Sequence, residues 1–124
     1  MRALVAATLT SERIHRALVS VTFLGPDAMA SLNSRYLGRV GPTDVLAFPL
    51  GREAPGLPVV GDIYICPRVA ASNARALRIS MREELSRLVV HGALHLAGMD
   101  HPEDESRTHS AMWRKQERII DRNS

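Results

Sequence analysis

The stretch SMREELSRLVVHGALHLAGMDH, residues 80–101, decides how this chain is read. Ser80 with Glu83 has the form of a capping box, in which hydroxyl and carboxylate each satisfy a backbone N–H that the first helical turn leaves without a partner. A helix is predicted from Met81 to Ala97, and Gly98 is placed to end it in a left-handed conformation. On that helix His91 and His95 lie one turn apart, displaced by about 6 Å along the axis. Their imidazoles can converge on one ion at the ~2.0–2.1 Å that zinc prefers. Past Gly98 the chain can turn back to deliver His101 as a third nitrogen ligand. Three histidines with no fourth protein ligand nearby is the arrangement of a catalytic zinc, which keeps a position open, whereas structural sites usually close the tetrahedron with cysteines. The expectation is therefore one Zn2+ per chain, held by His91, His95 and His101. His15 and His109 lie outside the pattern and are read as ordinary side chains.

The spacing is also that of the metzincin proteases, H-E-x-x-H-x-x-G-x-x-H. In those enzymes the glutamate takes the proton from the zinc-activated water. Here its position is Gly92, which keeps the metal cage and removes the strongest argument for a peptidase. A glycine there is also expected to leave room beside the ion for a bulky substrate.

Outward from this helix, apolar stretches alternate with turn signals. Residues Met1 to Leu9 are rich in alanine and leucine and read as helix. Ala17 to Leu24 (ALVSVTFL) reads as a strand. Gly25-Pro26-Asp27 breaks it and opens a helix to about Leu37, which Gly38 and Gly41-Pro42 stop. Val45 to Leu50 and Val59 to Cys66 are two further strands, separated by GREAPGLP, a glycine- and proline-rich loop expected to be mobile. Pro67 opens a helix to about Arg78. A last amphipathic helix is predicted over roughly Glu105 to Arg122, with Met112, Ile119 and Ile120 facing inward. Strands and helices intermingle without repeat or linker. The expected architecture is thus a single α+β domain over residues 1–124, a small mixed sheet covered by helices with the metal-binding helix packed on it.

Composition narrows the class further. A hydrophobic content of 45% with 23% charged residues is in the globular range. The single cysteine, Cys66, excludes an internal disulfide framework and suits a reducing compartment. No run approaches the ~20 apolar residues of a bilayer span, so the reading is a cytoplasmic protein with no membrane and no disulfide partner. Net charge is +3, and Lys115 is the sole lysine. Arginine grips phosphate in two places at once, which is compatible with a nucleic-acid partner.

The segment HGALHLAGMDH closely resembles the signature of the YbeY family, bacterial metal-dependent endoribonucleases of ribosomal RNA maturation. Leu32-Asn33 with Tyr36, Pro42-Thr43-Asp44-Val45-Leu46 and Phe48-Pro49 resemble its middle block, and Gly61-Asp62-Ile63 through Ile65-Cys66 its next strand. Glu103-Asp104 and Glu117 resemble its acidic run and final helix. The resemblance implies an endoribonuclease specific for single strands, acting in 16S rRNA 3′-end maturation on the small ribosomal subunit and in ribosome quality control. Three departures are visible. The family usually has an arginine directly after the middle-block tyrosine, where this chain has Leu37. Met99 stands in place of an aromatic residue. The strand that normally precedes the first helix is not visible.

A three-histidine zinc can make hydroxide available near neutral pH or act as a Lewis acid while the RNA 2′-hydroxyl attacks. The sequence does not choose between them and names no general base. Asp100 is a catalytic candidate that could orient a ligand imidazole, or equally a turn residue; Asp62 could be structural. Arg39 is a candidate both for binding RNA and for replacing the arginine absent at Leu37, while Arg35 reads as a surface residue. The rival from another class is a non-catalytic ribosome-assembly factor whose zinc only holds the fold; the other rival, the metalloprotease, is disfavoured by Gly92.

Overall fold

The computed structural model describes residues 2–51, 58–98, 114 and 117–120. The sequence elements appear there with boundaries shifted by one or two residues: α1 (Arg2–Ser11), β1 (Ala17–Phe23), α2 (Pro26–Leu37), β2 (Val45–Gly51), β3 (Val59–Ile65), α3 (Pro67–Leu77) and α4 (Met81–Leu96). Pro26 and Pro67 occupy the first turns of α2 and α3, where a missing N–H costs nothing. Gly38 closes α2 at a φ of 65°, its N–H among those that cap the last turn.

The three strands form one mixed sheet in the order β1-β3-β2, with β1 parallel and β2 antiparallel to the central β3. Because successive side chains of a strand point to opposite faces, β3 separates two cores. Val59, Ile63 and Ile65 pack with Val5 and Leu9 of α1 and with Leu88, Val89, Ala93 and Leu96 of α4. On the other face Met29 of α2 packs with Leu46, Cys66, Phe48 and Tyr64. Cys66 is fully buried there with a free thiol.

Helix α4 lies against both β2 and β3, and two glycines set how closely. A Cβ at Gly61 would collide with the Leu96 side chain and come within 3.0 Å of the Phe48 carbonyl oxygen. At Gly92 a Cβ would meet Ile63 Cγ2 at 2.9 Å. The room expected beside Gly92 for a substrate is therefore filled: this face of α4 turns to the sheet, and Ile63 occupies the space.

Of the last predicted helix, residues 117–120 are helical. Ile119 is buried against Val90 and Leu94 with Ile120 beside it, and Arg87 pairs with Glu117 at 3.3 Å. The start of that helix, Met112, Met99, Glu103-Asp104 and residues 52–57 of the glycine- and proline-rich loop lie outside the described residues. Among the described residues no helix is long and apolar enough to cross a membrane.

Candidate metal centre

The histidine pair is built on a helix whose ends are fixed by local chemistry. Ser80 Oγ accepts from the Glu83 backbone N–H at 3.0 Å, the hydroxyl half of the expected capping box. Glu83 and Glu84 in the first turn complement the positive end of the helix dipole. At the other end Ala97 keeps a right-handed conformation, and Gly98, at a φ of 99°, turns the chain out of the helix, where a side chain would be strained. The Gly98 N–H donates to the His95 carbonyl at 3.0 Å.

Between these ends, Val89, Val90, Ala93 and Leu94 are fully buried and fix the helix rotation. That rotation leaves His91 and His95 half-exposed on a shared stripe, with ring centroids 5.1 Å apart and planes inclined at 57°. Two imidazoles sharing a tetrahedral ion through nitrogens at ~2.0–2.1 Å have centroids about 5 Å apart, so the pair is spaced to hold one ion. His101 and Asp100 lie outside the described residues, as does His109. His15, read as an ordinary residue, is exposed next to β1 at the other edge of the sheet.

Arg39 stands in the turn between α2 and β2. Buried Asn33 fixes that turn, its Nδ2 donating to the Gly41 carbonyl at 2.9 Å while its backbone carbonyl accepts from the Arg39 N–H at 3.4 Å. Arg35, Leu37 and Arg39 are all exposed. Asp62, half-buried on β3, accepts a 2.6 Å hydrogen bond from Ser20 Oγ on β1, which gives it a sheet-bracing role.

Sequence reasoning missed a polar network on the metal helix itself. Glu84, only 4% exposed, accepts from Asn73 Nδ2 at 3.1 Å, and the same amide donates to Asp44 Oδ2 at 3.0 Å. Asp44 Oδ1 accepts from the Val45 N–H at 2.8 Å. One amide thus ties α3 to both α4 and the start of β2. No local signal marked it, because Glu84 follows Glu83 in the first turn of the helix, where an acidic residue is expected in any case.

Burial raises the Glu84 carboxyl above its usual 4.5, and the Asp44 charge pushes the same way, against the Asn73 hydrogen bond and Arg87. A carboxyl raised in the folded state holds its proton more tightly there. It therefore favours folding fully only below the unfolded value, and that contribution is lost as pH climbs through the raised one. Glu84→Gln stays neutral at every pH and can still accept from Asn73. It is expected to melt higher than wild type at about pH 8, with the gap closing as pH falls toward 4.5. Thermal melts across that range check this; a variant less stable at the alkaline end would show that the ionised carboxylate is the favoured partner.

Known proteins resemble the chain over most of its length. The family model described as Endoribonuclease YbeY matches residues 1–124. The Endoribonuclease YbeY of Thermobifida fusca is 38% identical over 120 residues, covering 90% of this chain and 76% of its own. That of Beutenbergia cavernae is 43% identical over 122 residues, covering 91% and 81%. The solution structure of a Thermotoga maritima protein matches with a TM-score of 0.64 and 33% identity, over 97% of this chain and 76% of that one.

Proposed function

The chain belongs to the YbeY endoribonuclease family, and from that membership we propose that it cleaves single-stranded RNA at one zinc ion held by His91, His95 and His101. In this reading its substrate is the 3′ end of 16S rRNA on the small ribosomal subunit, it serves rRNA maturation and ribosome quality control, and it works in the cytoplasm. The observation that carries the zinc is the His91–His95 pair, 5.1 Å between ring centroids on a helix locked by its apolar neighbours.

A bound zinc ion would supply Lewis acidity near neutral pH. The chain's own residues do the rest. His91, His95 and His101 would each hold the ion through one neutral ring nitrogen. Arg39, held by the Asn33-braced turn, grips a phosphate and places the strand. Asp100, next to His101 in sequence, would orient a ligand imidazole.

The competing readings fare less well. A protease would need its base at residue 92, and Gly92 is buried against Ile63. A zinc that only holds the fold would be expected under an otherwise weak helix, yet α4 is anchored by Val89, Val90, Ala93 and Leu94 without it.

Binding to single-stranded RNA should fall steeply with salt, because each phosphate gripped releases counterions. Arg39→Glu should weaken binding and flatten the salt slope by roughly 0.7 for each phosphate no longer gripped. Arg16→Glu, beside β1 at the opposite edge of the sheet, should do much less. Titration of a single-stranded rRNA fragment at several salt concentrations reads both. Equal weakening by the two variants would mean that the positive charge acts diffusely and Arg39 holds no particular phosphate.

A further inference from the structure

The chain has only two phenylalanines, two tyrosines and one tryptophan, and three of these rings meet on the sheet face turned away from α4. Phe48 of β2 and Tyr64 of β3 are diagonal neighbours, because Phe48 is paired with Asp62 and Leu46 with Tyr64. Their centroids are 5.8 Å apart in an edge-to-face arrangement. Tyr36, in the last turn of α2, makes a second edge-to-face contact with Phe48 at 5.4 Å. Packing accounts for Phe48 and Tyr64, which border the Met29–Leu46–Cys66 core. It does not account for Tyr36, which is 59% exposed.

The chain on either side of Tyr36 carries one sign of charge. Arg35 and Arg39 flank it, both exposed, and the sequence holds no carboxylate between Asp27 and Asp44. Leu37 and Val40 add exposed apolar surface to the same segment. An open aromatic ring beside guanidinium groups is the chemistry that takes a nucleobase on its π-face and the adjoining phosphates on its charges. The Phe48 contact also holds the Tyr36 ring before any ligand arrives, which lowers the ordering cost of stacking on it. Asp62, paired with Phe48 across β2 and β3, puts a negative charge beside the ladder on the same face, but its hydrogen bond from Ser20 ties it toward β1, so a strand would run on the arginine side.

We infer that Tyr36, backed by Phe48, is a base-stacking subsite for the single-stranded RNA substrate. The inference rests on the nuclease reading above and adds a contact to bases that the metal centre does not make. β2 is an edge strand with the ladder on one face and α4 packed on the other. A single strand passing over that edge spans both faces.

The test uses a short 2′-O-methyl oligoribonucleotide carrying 2-aminopurine, whose fluorescence is quenched when the base stacks. Wild type should bind it with quenching. Tyr36→Ala should bind roughly tenfold or more weakly and lose the quench, as removal of a stacking ring does. Tyr36→Phe should restore both, and because Tyr36 is exposed, melting temperatures of all three should agree. Tyr36→Ala binding and quenching like wild type would overturn the subsite while leaving the nuclease reading standing. An oligonucleotide that wild type does not bind at all would overturn both.

Discussion

Leu37→Arg should cleave single-stranded RNA faster than wild type by about 10²–10³-fold, the effect of one interaction worth ~2.7–4 kcal/mol in the transition state. The family resemblance places an arginine at this position, where it can neutralise charge that builds on the phosphoryl group as the bond breaks. Leu37 is the last residue of α2 and 46% exposed, so a guanidinium there can stay hydrated and the fold is expected to tolerate it. An interaction made only in the transition state raises kcat and leaves the affinity for RNA nearly unchanged. Single-turnover cleavage and equilibrium binding, measured on the same fragment, separate the possibilities. Tighter binding with flat turnover would make the position a phosphate anchor. A folded variant that cleaves no faster would show that another group, with Arg39 the candidate, already supplies the charge.

The parts of the fold that the sequence announced are those set by local chemistry. Pro26 and Pro67 mark helix starts, Gly38 and Gly98 mark helix ends, and Ser80 caps α4; each acts within a few residues of itself. The histidine pair was legible for the same reason, since one helical turn fixes the distance between residues 91 and 95 whatever lies around them. Gly92 was half legible. Its identity removed the protease base, but the side of the helix it faces depends on Ile63, nearly thirty residues away and brought close only when α4 lies on the sheet. The space at Gly92 therefore serves packing and offers no room for substrate.

Glu84 was hidden by a more plausible local role. With Glu83 it looks like ordinary first-turn acid, and only Asn73 and Asp44, from another helix and the approach to a strand, reveal a buried network. The Tyr36–Phe48–Tyr64 ladder was hidden likewise, because it joins α2, β2 and β3 through a register that sequence spacing does not state. Both non-local features border β2, the strand against which the histidine helix packs.

The central claim is that His91, His95 and His101 hold one catalytic zinc on a helix that folds without it. Its most direct test is His95→Ala, assayed together for zinc content, melting and RNA cleavage. His95 is half-exposed, whereas Val89, Val90, Ala93 and Leu94 carry the packing of α4, so the truncation should leave the helix in place. Losing one of three nitrogens leaves too few protein ligands for a catalytic site. The account predicts about one zinc per wild-type chain, essentially none in the variant, cleavage lost and a cooperative melt retained. Full zinc occupancy in His95→Ala would contradict the ligand assignment, and a variant that lost its zinc and failed to fold would contradict the catalytic role in favour of a structural one.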